Sequence, residues 1–92
     1  MRLNFTGHAI QRMFERGIEP QDIREVVDHG EVIETYPDDA PLPSRLVRGW
    51  RRGRPLHVVA ADNTQDQITV IITVYVPDAG HWEPPEYRRR RT

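Results

Sequence analysis

Hydrophobic and polar positions alternate with two different periods along this chain. From Thr6 to Arg16 the period is helical: Ala9, Ile10, Met13 and Phe14 fall on one side of the wheel, and Gln11, Arg12, Glu15 and Arg16 on the other. Thr6 is a good N-cap and Gly17 a stop. Ile18-Glu19-Pro20 opens a second helix, because proline's missing N–H costs nothing in the first turn. Ile23, Val26 and Val27 give it a buried stripe, and His29-Gly30 closes it with Gly30 as a left-handed cap. Ile18 lies between the two helices and is expected to pack under both.

The period then changes to two. Strands are predicted over Glu31–Tyr36, Arg45–Trp50, Leu56–Asp62 and Gln67–Val76, the last being the most apolar and so placed centrally. The proline-rich stretch 37–43 is a loop, and Arg51–Arg54 and Asn63–Asp66 are turns. In the third strand Leu56, Val58 and Ala60 share one face, with His57, Val59 and Ala61 on the other. In the fourth, strict alternation puts Ile68, Val70, Ile72, Val74 and Val76 against Thr69, Ile71, Thr73 and Tyr75. The more apolar faces are expected to meet the helices, leaving His57, Thr73 and Tyr75 together on a semi-polar face. The expected architecture is α+β: two N-terminal helices packed on a four-stranded, mostly antiparallel sheet. Residues 1–92 read as a single domain, with a core over about 4–78 and a C-terminal tail, 79–92. In that tail Trp82 is expected to dock and the last five residues to be mobile.

Composition narrows the function classes. The absence of cysteine excludes a disulfide framework, thiol catalysis and thiolate zinc sites, and suits a reducing cytosol. The longest apolar run, Val70–Ile72, is too short to span a membrane, and Met1–Asn4 has no signal-peptide character. A cytoplasmic protein with no membrane partner is expected.

Net charge is −1, yet its distribution is uneven. All thirteen basic residues are Arg. Residues 15–39 hold nine acids against two Arg, residues 45–54 hold five Arg and no acid, and 88–91 are four Arg in a row. The basic blocks can neutralise phosphates, or pair with an acidic partner or with the chain's own acidic block.

Several positions could carry chemistry, each with a plainer alternative. His8 and Arg12 lie four apart on the helix's polar face, so an acid/base imidazole and a phosphate-matching guanidinium could face one ligand, with Arg16 at the edge. The plainer reading is a solvated helix face. His57 could be a second acid/base group, or a half-buried histidine bonded to a neighbour. Thr73 and Tyr75 could donate to a phosphate and Tyr75 could stack a base, though both types favour strands anyway. Arg45, Arg48, Arg51, Arg52 and Arg54 around Trp50 suit single-stranded RNA, or a charged hairpin in water. The four histidines show no metal-ligand spacing, so neither a metal nor another cofactor is expected.

Three segments taken together carry a family resemblance: Gly7–Ile18, Gly53–Val59 and Ile71–Pro77, in that order. The combination resembles the bacterial domain-of-unknown-function family numbered 4258, from about Thr6 to Trp82. The resemblance implies a RelE-like fold and a toxin-like role. On that footing the expected function is a metal-independent endoribonuclease of a type II toxin–antitoxin system. His8, Arg12, His57 and Tyr75 would be catalytic, and Arg16, Arg48, Arg51, Arg52, Arg54 and Thr73 would bind RNA. The implied partners are an antitoxin protein and RNA or the ribosome, with a homodimer as a further option. One departure stands out: RelE-like RNases often use several Lys, and this chain has none. The alternative is a non-catalytic RNA- or protein-binding module of the same fold.

Overall fold

The computed structural model describes residues 1–90. Strand β1 (Arg2–Phe5) leads into helix α1 (Gly7–Arg16) and helix α2 (Pro20–His29). Then follow β2 (Glu31–Tyr36), β3 (Ser44–Arg51), β4 (Arg54–Asn63), β5 (Ile68–Tyr75) and a short ribbon, β6 (Trp82–Glu83) with β7 (Arg88–Arg89). The class is α+β, as the periodicities predict.

The sheet has five strands in the order β1-β5-β4-β3-β2, one more than expected. The addition is β1, which runs parallel to β5 with Leu3 opposite Thr69 and Phe5 opposite Ile71. It escapes a sequence reading because it is four residues long and has two apolar side chains. β5 is therefore internal, but the middle strand is β4.

The Thr6 hydroxyl accepts from the Ala9 N–H at 3.0 Å and donates to the Ile72 carbonyl at 2.8 Å, so one side chain caps α1 and ties it to the sheet. Gly17 ends α1 in the left-handed region at φ 64°. Gly30, by contrast, is extended rather than left-handed, at φ −75° and ψ −178°. It is glycine because an added Cβ would lie 2.5 Å from the Val26 carbonyl oxygen and 2.6 Å from that of Arg48.

The core lies between the helices and one sheet face. It contains Ala9, Met13, Ile18, Ile23, Val26, Val47, Leu56, Val58, Ala60, Ile71 and Val74. Ile18 sits in it, as expected. Two expectations need correcting. Ile10 and Phe14 do not join the core: they are 56% and 88% exposed, because the buried arc of α1 centres on Ala9 and Met13. Ile71 does not share a face with Thr73 and Tyr75. The β4–β5 register shifts between Val59 and Ala60, so that Val59 faces Thr73 and Ala60 faces Ile71. The extra residue, Ile72, reverses the parity of the strand, and Ile71 and Val74 are both fully buried in the core.

The C-terminal segment folds back over the sheet as the β6–β7 ribbon. Trp82 is docked at 8% exposure, and Arg88 and Arg89, expected to be mobile, pair with Glu83 and Trp82 in the ribbon. Arg91 and Thr92 of the expected basic tail lie outside the described residues.

Candidate functional site on the outer face of the sheet

Four residues form a straight row across four strands. Glu31 pairs with Arg48, Arg48 with His57, and His57 with Tyr75. Alternation fixes which way the row points: Leu56 and Val58 enter the helix-side core, so His57 between them faces away from the helices. Thr73, two residues before Tyr75, belongs to the same face.

The ribbon covers this row. The Trp82 ring lies edge-on to the His57 ring at 4.5 Å, and the Tyr75 ring stands 5.2 Å from His57 on another side. His57 Nδ1 is 3.2 Å from the Tyr75 hydroxyl, which donates when the ring proton sits on Nε2. His57 is completely buried. Burial pushes its imidazole down to about 4; the Tyr87 backbone draws it up, Arg48 pushes it down further and Glu34 opposes this. Burial likewise raises the Tyr75 phenol to about 12.

Arg48, only 9% exposed, gives Nη1 to the Glu86 carboxylate at 2.6 Å and to the Glu86 carbonyl at 2.7 Å, and Nη2 to Glu31 at 3.1 Å. Beside it, Glu34 accepts from Arg89 Nε at 2.8 Å and Nη2 at 2.9 Å, and from the Tyr36 hydroxyl at 2.6 Å. The Arg89 hydrogen bond holds Glu34 below its ordinary range; burial opposes it and Tyr36 assists. Burial, then the bond to Glu34, lifts the Tyr36 phenol to about 12. Among the described residues, two buried side-chain atoms have no hydrogen-bond partner, Arg48 Nε and His57 Nε2, and both lie in this row.

The other sequence-predicted residues are elsewhere. His8 and Arg12 are exposed on α1, which reaches the core through Ala9 and Met13, so they stand on the opposite side of the sheet from His57 and Tyr75. The four residues expected to be catalytic therefore do not share one site: the structure unites His57 and Tyr75, with Arg48, but not His8 and Arg12. Arg12 makes an exposed pair with Glu15 at 3.4 Å, and Arg54 Nη2 donates to the Arg16 carbonyl at 2.9 Å.

The basic block is largely spent within the molecule. Arg45 pairs with Asp62 at 3.1 Å, Arg51 with Asp22 at 3.1 Å and Arg52 with Glu19 at 3.4 Å, in addition to the Arg48 pairs. Among the described residues, Arg2, Arg16 and Arg54 have no carboxylate partner. A cleft of about 420 Å³ opens between α2 and β3 and reaches the row at Glu31 and Arg48, with Glu25, His29, Trp50 and Arg51 on its other walls; His57 and Tyr75 do not line it. No group of His, Asp and Glu among the described residues could hold a metal ion, and no helix there is long and apolar enough to cross a membrane.

Sequence reasoning missed Glu34, Tyr36, Glu86, Tyr87 and Arg89. The alternation of Glu34 and Tyr36 on a predicted strand places them on one face and was a usable signal. The ribbon residues left none, since strands of two residues have no period.

The site and fold define a small α+β domain with a titratable row under a C-terminal cover. The chain belongs to the family described as Domain of unknown function (DUF4258), whose model matches residues 5–76. The ribbon lies beyond the matched residues. No curated protein and no solved structure matches the chain.

Proposed function

We propose that this is a cytoplasmic, RelE-like domain acting as a non-catalytic protein-binding module, which docks an acidic amphipathic segment of a partner on the outer face of α1. In a toxin–antitoxin setting that partner is the antitoxin. The observation that carries the reading is the exposed Phe14 (88%) and Ile10 (56%), one turn apart on a helix whose C-terminal end holds Arg16 and Arg54 without carboxylates. Contiguous exposed apolar surface is favourably covered and marks contact sites. The remaining cations supply the charge complement for an acidic partner. The basic hairpin supports RNA binding less, because its Arg side chains already have acidic partners.

The test is a titration of the intact chain with a synthetic Leu/Glu amphipathic helical peptide, followed by amide shifts. Shifts should map to α1, weaken with salt, and fall at least tenfold in affinity in Phe14→Asp. Shifts elsewhere, or equal binding of a Leu/Lys peptide, contradict the reading.

A second reading, metal-independent RNA cleavage, is favoured by one observation: the register that lines up Arg48, His57 and Tyr75. That trio supplies a cation, an imidazole and a hydroxyl, which 2′-OH attack on a phosphodiester requires. On this reading His57→Ala abolishes RNA cleavage while the chain stays folded. His8→Ala does so only if α1 also contributes. Cleavage unaffected by His57→Ala excludes it.

A further inference from the structure

The row Glu31–Arg48–His57–Tyr75 is built to a degree that its closed form does not explain. Buried polar side chains are nearly always hydrogen-bonded, and an unpartnered one is a cost that calls for a reason. Here Arg48 Nε and His57 Nε2 belong to residues paired in register under the same cover; neither makes a well-formed hydrogen bond, and the His57 ring has only the Tyr87 backbone of the cover to draw on beyond Tyr75. Both can present an N–H toward an acceptor.

The cover itself brings an anion. The Glu86 carboxylate sits on Arg48 Nη1 at 2.6 Å, while its own side chain is 63% exposed, so it approaches the buried guanidinium from the solvent side. The rest of the cover is held lightly. Its two strands are two residues each, too short to be stable alone. One large side chain, Trp82, is inserted. Further attachments are the ion pairs of Arg88 with Glu31 and Arg89 with Glu34, Arg89 stacked 4.8 Å over Trp82, and the Tyr87 ring edge-on to Trp50 at 5.9 Å. Exposed ion pairs hold weakly and are screened by salt.

We propose that Arg48 and His57, with Tyr75 bonded behind the ring, form an oxyanion site whose Arg48 end the chain's own Glu86 occupies in the closed form, and that a phosphate group takes that place when the β6–β7 ribbon lifts. Arg48 supplies the planar fork that matches a phosphate's oxygens, and Glu31 on Nη2 keeps that fork oriented. The His57 Nε2–H supplies the neutral donor, with the Tyr75 hydroxyl on Nδ1 fixing that tautomer, and Thr73 lies on the same face at the next position along β5. The inference does not depend on partner docking at α1, which is on the other side of the sheet.

The experiment titrates inorganic phosphate into the full-length chain and reads the ring resonances of His57 and Tyr75. Glu86→Gln removes the internal anion while keeping the side chain's shape. It should bind phosphate at least tenfold tighter than the unmodified chain. Adding Arg48→Lys, which keeps the charge but loses the fork, should cancel that gain. In the unmodified chain, phosphate should speed hydrogen exchange at the Tyr87 amide, which bonds to the Glu83 carbonyl at 2.7 Å in the closed ribbon. Unchanged phosphate affinity in Glu86→Gln, or a gain that survives Arg48→Lys, overturns the proposal. Acetate binding as tightly as phosphate overturns the assignment to phosphate.

Discussion

Asp22 shows how single residues hold this domain together. It is 2% exposed in the first turn of α2, where sequence periodicity alone would place a solvated acid. Its Oδ2 accepts the Glu19 N–H at 2.9 Å and its Oδ1 accepts Arg51 Nε at 3.1 Å, with Arg52 at 3.6 Å. Burial pushes the carboxyl up; the Glu19 N–H, Arg51 and Arg52 together outweigh it and hold it below the ordinary range. One side chain thus caps α2 and pins the β3–β4 turn to it. Asp22→Asn keeps the shape but leaves two guanidinium groups against a neutral amide, and should cost about 2–3 kcal/mol. Urea unfolding checks this; a loss under about 0.5 kcal/mol means the cluster is solvated and weak. These pairings were legible in the sequence only as opposed blocks of charge. Which Arg meets which acid depends on contacts between residues 29 positions apart, as with Asp22 and Arg51, and no local pattern encodes those.

At the scale of elements, local rules worked where a segment had enough length to show its period. The capped helices and four of the strands are where periodicity places them, within a residue or two at the ends. Failures came where the period was broken or too short. One bulge at Ile72 exchanged the two faces of β5, so half of that strand was read inside out. β1 and the ribbon offered two to four residues each. On α1 the apolar arc was wider than the arc the sheet could bury, and the surplus, Ile10 and Phe14, became the candidate docking surface.

Where α2 crosses β3, the approach is close enough to exclude any side chain. A Cβ on Gly49 would meet Val26 Cγ2 at 2.7 Å and Cγ1 at 3.1 Å. Val26 is stiff and buried, so it cannot turn aside. Gly49→Ala should destabilise by about 1–3 kcal/mol through overpacking. Pairing it with Val26→Ala should recover part of the loss, because the two sites share one contact. A neutral Gly49→Ala in thermal unfolding contradicts this crossing geometry.

Taken as a whole, the molecule has two chemically distinct sides separated by the sheet. The helix side offers exposed apolar and cationic groups, and the outer side offers a titratable row sealed by the ribbon. Pairing two predicted strands brought His57, Thr73 and Tyr75 onto one face, but Arg48 was read as part of a separate basic hairpin, and no local pattern could show that a tail segment would close over them. Closure has a pH signature. His57 is held near 4 when buried, against 6.5 when free, so the opened form takes up a proton first. The closed form therefore keeps its full stability above about pH 7 and loses it as pH falls from 6.5 toward 4, by at most about 3 kcal/mol. Glu34, whose carboxyl is held below 4.5 mainly by Arg89, adds a loss in the same direction at lower pH.

The sealed row is tested most directly by following the His57 ring proton and carbon resonances through an acid titration of the intact chain and of Trp82→Ala. The closed ribbon predicts a midpoint near 4 in the intact chain, rising toward 6.5 when Trp82 is removed. A midpoint already near 6.5 in the intact chain means that His57 is open to water, and that the ribbon does not seal the row.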